Sequence, residues 1–287
     1  MPFFPNPFQP ARRPYSPEDR PTTRRGLVRL VLRDHFFDLP PLNLLLAAVY
    51  APALLWAVTG FFYILEAMGD DGGFRDLISL SRTWVLVFIP LGTLTGPAAA
   101  GMAAVTRDLA GDRFRLPWST FRAAVKTGWR PALVLSAVTS LFPLLLWAAL
   151  AFYAPALGRM AAIPVGLTAA LALIWLLALP TLYAMLVSYR GSLGNHVRTA
   201  LALTLRRLPA VAGVRLLTCL PVLAALPAFW VGGRFLSVAL LVLCVYYLLF
   251  GFALSRLLWA FTANWLFETE LDPRLSDAEE PAAPSED

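Results

Sequence analysis

Two arginines inside long apolar stretches are the residues of this sequence best suited to chemistry. Arg215 and Arg256 each interrupt an apolar segment in the last third of the chain. A charge in such a segment is costly in a membrane and commonly marks a functional site. Their long side chains either extend to the lipid headgroups, which is the default interpretation, or form an anion pocket between the last two spans. The anion would then be a lipid phosphate or a sugar phosphate.

The motifs of common catalytic and metal-binding sites are absent from the sequence. It contains no P-loop, HExxH or GxSxG pattern. Cys219 and Cys244 lie in apolar segments, where buried and unreactive thiols are the usual state. His35 and His196 are far apart, and no series of Asp, Glu and His crosses the apolar segments as in a proton pump. We therefore expect no enzymatic activity, no cofactor and no metal site.

A cluster of small residues, prolines and threonines is the second candidate site. Gly92, Gly96 and Ala100 are spaced four apart, which allows a second helix to approach closely. The cluster forms either a broken helix that lines a substrate site or a tight helix contact. The lack of ionisable residues within it favours the helix contact. The candidate residues are Pro90, Gly92, Thr93, Thr95, Gly96 and Pro97.

A basic and aromatic segment follows this cluster. Its aromatic residues share one face of a helix, and its cations lie on the adjacent face. This pattern predicts a short amphipathic helix on the membrane surface, with cations toward anionic lipid headgroups, or alternatively a helix that docks on a cytoplasmic partner. The residues are Trp118, Phe121, Arg122, Lys126, Trp129 and Arg130. A second such helix is predicted before residue 209, with Leu193, Val197, Leu201 and Leu205 on one face.

The composition places the chain among membrane proteins. Hydrophobic residues make up 58% of it and charged residues 15%, whereas soluble domains carry roughly 25% charged residues. We predict an all-α protein with six transmembrane helices and two short amphipathic cytoplasmic helices. Trp84, Trp230, Trp259 and Trp265 lie near predicted span ends, as interface anchors do. The spans cover residues 42–66, 84–106, 132–157, 161–188, 210–230 and 235–259.

The positive charges predict the orientation of these spans. Most arginines, and the single lysine, precede the first span or lie in the second-to-third and fourth-to-fifth loops. Because positive loops stay inside, both termini are expected in the cytoplasm, at the cell's inner membrane. The net charge of +6 thus indicates orientation rather than nucleic-acid binding.

The predicted organisation has three parts. Residues 1–34 form a disordered, basic, Pro-rich cytoplasmic tail that includes a candidate interfacial helix at its end. Residues 35–267 form the six-helix transmembrane domain. Residues 268–287 form a disordered acidic tail, which can contact the basic loops on the same side.

Three short patterns in the first half of the chain resemble the YesL family, a group of bacterial membrane proteins of unassigned biochemistry. They are Pro90, Gly92, Thr93, Gly96 and Pro97, then Val105, Arg107, Asp108 and Leu109, then Trp118, Phe121, Arg122 and Lys126. Asn43, Leu44 and Leu45 resemble that family's entry to the first span, with Leu46 at the position of its Trp. The resemblance implies a compact multi-span membrane protein with a link to carbohydrate uptake.

These observations together favour a non-enzymatic accessory or partner of a membrane transport system. The alternatives are a small transporter or channel with residues 90–101 as its broken helix, and a lipid-binding protein that organises the membrane. A transporter requires a polar cavity near the middle of the bilayer, which an accessory protein does not need. Expected partners are the bilayer, anionic headgroups and transporter subunits, and self-association stays open.

Overall fold

The protein is built of helices joined by short turns. The computed structural model describes residues 23–69, 74–111 and 116–273, and no strand occurs among them. The α-helices are α1 Arg24–Asp34, α2 Leu39–Gly69, α3 Phe74–Thr93, α4 Gly96–Ala110, α5 Pro117–Leu157, α6 Ala162–Ser188, α7 Leu193–Arg206, α8 Leu208–Val231, α9 Gly233–Tyr246 and α10 Phe252–Leu266. Helices with π geometry, Tyr247–Gly251 and Phe267–Leu271, join α9 to α10 and extend α10.

Several of these helices are long and apolar enough to cross a membrane. Among the described residues there are four such helical stretches: Phe36–Gly60, Pro117–Ser188, Leu208–Ala228 and Gly233–Leu271. The pair Ser81–Thr93 and Gly96–Ala110, bent by 46°, forms a fifth candidate if it is counted as one span. The stretch Pro117–Ser188 contains two helices, α5 and α6, which contact each other where the Trp175 indole donates to the Thr139 hydroxyl at 2.9 Å. The all-helical, multi-pass prediction is therefore supported at this coarser level.

Helix α4 lies at the centre of the packing because its side chains are small. One face contacts α2 and α10 through Ala98, Met102 and Val105. The opposite face contacts α5 and α6 through Ala99, Ala100 and Ala103. Eleven of the fifteen residues of α4 are buried, so α4 is the element that the other helices surround.

The bend between α3 and α4 is satisfied locally and by α5. The Leu94 N–H donates to the Pro90 carbonyl at 3.2 Å, and the Thr95 hydroxyl donates to the Gly92 carbonyl at 2.7 Å. The Ser136 hydroxyl of α5 donates to the Thr93 carbonyl at 2.6 Å. Hydroxyl groups thus replace the helical hydrogen bonds that a break removes, as a low-dielectric environment requires.

Residues 118–130 are not the separate surface helix that the sequence predicts. They are the first turns of α5, which continues through Pro131 to Leu157. Both sides of Pro131 rest on α4: Phe121 packs against Gly101, and Ala132 packs against Gly96. Because the same partner helix supports both sides, the proline does not end the helix. A helix, α7, occurs in the second predicted region. Its buried face is formed by His196, Ala200, Leu203 and Thr204, whereas Leu205, predicted on its apolar face, is exposed.

The terminal segments extend further into the fold than predicted. Helix α1 follows Thr23, whose side chain accepts from the Gly26 N–H, and Val31 is fully buried against α4 and α2. At the other end the helix runs past the predicted boundary at 267, and the Arg207 guanidinium lies 2.7 Å from the Glu270 carboxylate. The predicted disorder of residues 1–22 and 274–287 lies outside the described residues.

We expect the substitution Gly96→Ala to lower the free energy of unfolding by about 1–3 kcal/mol, the usual cost of overpacking. Its methyl group would overlap the backbone carbonyl of Ala132, which cannot rotate away. Thermal unfolding in detergent micelles measures the effect. Gly213→Ala is the matched control, since nothing lies within 4 Å of the Cβ it would add. Equal losses of stability in the two variants would contradict the close approach of α4 and α5.

Candidate functional site

Arg215 and Arg256, 41 positions apart in the chain, line the same cavity. The cavity has a volume of about 300 Å³ and lies between α2, α6, α8 and α10. The sequence left two positions open for these arginines, at the lipid headgroups or in a pocket that they share. In the structure they share a pocket, and both guanidinium groups turn toward neighbouring helices. The other lining residues are Tyr50, Leu176, Leu179, Pro180, Thr218, Cys219, Tyr247, Phe252, Ser255 and Trp259.

Two tyrosines surround the guanidinium of Arg256. Its Nη2 donates a hydrogen bond of 2.9 Å to the hydroxyl of Tyr50 on α2. Its Cζ lies 5.6 Å from the ring centroid of Tyr183 on α6, within the range of a cation–π contact. Arg256 therefore connects α10 to α2 and to α6.

A backbone carbonyl and an indole ring hold the guanidinium of Arg215. Its Nη2 donates to the carbonyl oxygen of Leu176 on α6. Its Cζ lies 5.0 Å from the ring centroid of Trp259, which is buried. Trp259, which the sequence analysis places near a span end, lies within a helical stretch that continues to Leu271.

No acidic side chain in the described part of the chain neutralises the positive charge of the cavity. Among the described residues that line it there is no Asp or Glu. Neither arginine forms an ion pair with any residue in 23–69, 74–111 or 116–273. The cavity therefore carries two positive charges, which only carbonyl, hydroxyl and ring contacts stabilise.

The cavity lies close to the middle of the helices that surround it. Leu176 is near the middle of the 27-residue α6, and Cys219 is near the middle of the 24-residue α8. Arg256 is near the middle of the 39-residue stretch Gly233–Leu271. At 1.5 Å per residue, Leu176 is about 18 Å from the end of α6. Arg215 itself lies about two turns after the start of α8, and its guanidinium reaches across to the backbone of α6 at Leu176.

The polar groups of the cavity are mainly hydrogen-bond donors. The hydroxyl groups of Thr218 and Ser255 already donate to carbonyls of their own helices, at 2.9 and 2.7 Å. The other donors are the two guanidinium groups, the hydroxyls of Tyr50 and Tyr247, the indole N–H of Trp259 and the weakly donating thiol of Cys219. A guanidinium carries five N–H donors and no acceptor. Such a set of groups is suited to binding an anion.

Asn43 holds one wall of the cavity in place. This fully buried side chain donates to the carbonyls of Tyr247 and Leu248, both at 2.7 Å, and accepts from the Ala253 N–H at 2.8 Å. These are the backbone groups that the π-helical segment leaves without regular partners. Helical segments of this kind occur frequently at functional sites. The sequence singled out Asn43 only within the pattern that resembles the YesL family's entry to the first span. It did not identify the partners of Asn43, since these lie more than 200 positions away.

The broken-helix candidates lie elsewhere. None of Pro90, Gly92, Thr93, Thr95, Gly96 and Pro97 lines the arginine cavity. Gly92 faces Ser140, and Gly96 faces Ala132 and Ser136, all on α5. The predicted break between α3 and α4 is present, and α5 packs against the small residues beside it.

The basic segment of α5 presents its cations to the surroundings. Arg122, Lys126 and Arg130 are exposed, and Arg130 lies 5.2 Å above the Trp129 ring. Trp118 is 61% exposed and stacks on Phe121, the one member of this set that enters the core. These residues do not contribute to the arginine cavity.

A second polar cavity lies at the ends of α4 and α6 and the start of α5. Its volume is about 410 Å³, and Arg107, Asp108, Thr120 and Ser188 are among its lining residues. Arg107 also reaches the Asn264 side chain of α10 at 3.3 Å. Nearby, burial and the Asp272 carboxylate raise the pKa of Tyr189, whose hydroxyl lies 2.7 Å from that carboxylate. This region joins α4, α6 and the end of α10.

No group of three or more His, Cys, Asp or Glu residues that could hold a metal ion occurs in the described part of the chain. Comparison with models of protein families, with curated proteins and with solved structures finds no match.

We expect Asn43→Ala to lower the free energy of unfolding by about 1–3 kcal/mol, because it leaves buried backbone groups without partners. Thermal unfolding in micelles is the measurement. Asn195→Ala is the control, since Asn195 is exposed on α7. A loss of stability no larger than that of the control would show that Asn43 does not hold the π-helical segment.

Proposed function

We propose that the protein is a non-enzymatic, six-span membrane protein that binds a small anion in the arginine cavity and carries it across the membrane. One observation carries this proposal: Arg215 and Arg256 line one cavity near the middle of four apolar helices without a carboxylate partner among the described residues. This function corresponds to the small transporter among the alternatives that the sequence left open.

The cost of the two charges supports an anionic ligand. An arginine at the centre of a membrane helix costs about 3 kcal/mol on insertion scales. The contacts to Trp259 and Tyr183 offset part of this cost, because a desolvated cation–π contact contributes about 2 kcal/mol. An anion between the guanidinium groups neutralises the remainder, and a charged ligand makes stronger hydrogen bonds than a neutral one.

The depth of the cavity favours a solute over a phospholipid headgroup. Headgroups lie outside a hydrocarbon core about 30 Å thick, whereas the cavity is near the helix midpoints. Transporters commonly bind their substrates near the bilayer middle, beside irregular helical segments. The π-helical segment Tyr247–Gly251 is such a segment, and Tyr247 lines the cavity.

The proposed spans are α2, the bent pair α3 and α4, α5, α6, α8, and the continuous stretch from α9 to Leu271. Six spans place the termini on one side, and the positions of Arg and Lys assign that side to the cytoplasm. The resemblance to the YesL family supports a bacterial inner membrane and a role in carbohydrate uptake. A sugar phosphate is both a carbohydrate and an anion, so it fits this role and the cavity.

We expect saturable uptake of radiolabelled glucose 6-phosphate or inorganic phosphate into phosphatidylcholine proteoliposomes. Arg215→Gln and Arg256→Gln should each reduce uptake by about tenfold or more, because a charge-assisted hydrogen bond is lost inside a low-dielectric cavity. Arg234→Gln is the matched control, since Arg234 is exposed at the start of α9, outside the cavity. The proposal fails if the wild-type protein and both cavity variants transport no more than empty liposomes.

Native mass spectrometry separates a solute from a lipid as occupant. Phosphatidylglycerol retained by the wild-type protein and by Arg234→Gln, but lost from Arg215→Gln, would assign the cavity to a lipid phosphate and contradict the solute carrier.

The second candidate function is the accessory protein of a transport system. Arg122, Lys126 and Arg130 favour it, because they are exposed along one face of α5 and form no ion pair with another described residue. An acidic surface of a partner protein complements such a face.

We expect the triple variant Arg122→Gln, Lys126→Gln, Arg130→Gln to lose the partner if the accessory function holds. The measurement is affinity purification after cross-linking in cells, with mass spectrometry of the recovered proteins. Stoichiometric recovery of a permease or its ATPase with the wild-type chain, but not with the triple variant, is the expected result. Recovery of the chain alone, or only of its own oligomer, would contradict this function.

A further inference from the structure

The charge of the cavity indicates which class of anion would bind there, and this inference rests on the proposed function. The described lining residues include two arginines and no acidic group. We propose that the ligand is a dianion of the phosphate monoester class, with its phosphate between Arg215 and Arg256.

A monoanion and a dianion would leave different net charges in the cavity. A monoanion would leave one uncompensated positive charge in a low-dielectric cavity, where charges are expensive. A dianion makes the cavity electrically neutral and also removes the repulsion between the two guanidinium groups. A ligand that neutralises the two arginines must therefore carry two negative charges.

The arrangement of donors favours a tetrahedral group. Four of the donors come from different segments around the cavity: Tyr50 from α2, Arg215 from α8, Tyr247 from the π-helical segment and Arg256 from α10. The three terminal oxygens of a phosphate monoester point in different directions and accept several hydrogen bonds each. Guanidinium groups match phosphate geometry in a bidentate manner.

The size and walls of the cavity leave room for the organic part of the monoester. The volume of about 300 Å³ is about ten times the 30 Å³ that a water molecule occupies in the liquid. Phe252, Leu179 and Pro180 add apolar walls beside the donors. The site therefore accommodates a phosphate with a small organic substituent.

A native thiol allows a direct test. Cys219 lines the cavity, whereas Cys244 lies outside it on α9 and faces lipid in the proposed topology. A bound ligand should slow the alkylation of Cys219. Cys219 is therefore the reporter, and the same reaction without ligand is its control.

The experiment compares methyl phosphate with dimethyl phosphate, which share the phosphorus centre and differ by one charge. The wild-type protein in phosphatidylcholine nanodiscs is treated with N-ethylmaleimide at pH 8, above the second pKa of a phosphate monoester, about 6. Mass spectrometry follows the thiol of Cys219. We expect methyl phosphate to protect Cys219 at a concentration about tenfold or more below that of dimethyl phosphate. Isothermal titration calorimetry with both compounds gives a readout that does not depend on the thiol.

Substitution of either arginine should remove this discrimination. In Arg215→Gln and Arg256→Gln one positive charge remains, so the two compounds should bind within about threefold of each other. Arg256→Lys keeps the positive charge and should keep the preference for methyl phosphate. This variant distinguishes an effect of charge from a general loss of fold. Arg234→Gln should behave as the wild-type protein.

The results distinguish this inference from the proposed function. Equal binding of both compounds to the wild-type protein would overturn the dianion and leave an anion site in place. Binding of neither compound, by thiol protection and by calorimetry, would contradict both the dianion and the anion site.

Discussion

The close approach of helices to α4 is the constraint on which the rest of the structure depends. Its glycines and alanines let α5 lie on one side and α10 on the other, with α2 and α6 completing the ring. Larger side chains would push these helices apart, because a Cβ at Gly96 already meets the backbone of α5. Dispersion between closely packed backbones replaces the hydrophobic effect that is missing inside a bilayer.

This packing also determines where the arginines lie. With α10 seated on α4, Arg256 faces the space between α2 and α6, and Arg215 of α8 enters the same space from the opposite side. The amide of Asn43 holds the π-helical segment beside it. The small residues of α4 thus pack the bundle, and the two arginines occupy a separate, partly open cavity between α2, α6, α8 and α10.

Two guanidinium groups in one cavity, with no acid among the described lining residues, are costly between apolar helices. Charges within a membrane are rare and mostly functional, which is why they point to function. Carbonyl, hydroxyl and ring contacts hold Arg215 and Arg256, and none of these contacts supplies a negative charge. The proposed anion would supply that charge.

The sequence by itself determined the class of this protein and the sites of close packing. Apolar length and the spacing of Gly92, Gly96 and Ala100 are local properties, so they predict membrane helices and a tight contact without knowledge of the fold. The same local properties predicted the end of a helix at Pro131 and left two positions open for the arginines, at the headgroups or in a shared anion pocket, because they carry no information on neighbouring helices. Only the tertiary structure decided that α4 supports both sides of Pro131, and that Arg215 and Arg256 share one cavity. Contacts between residues that are distant in the chain depend on how helices pack, and a single sequence carries no local signal for them.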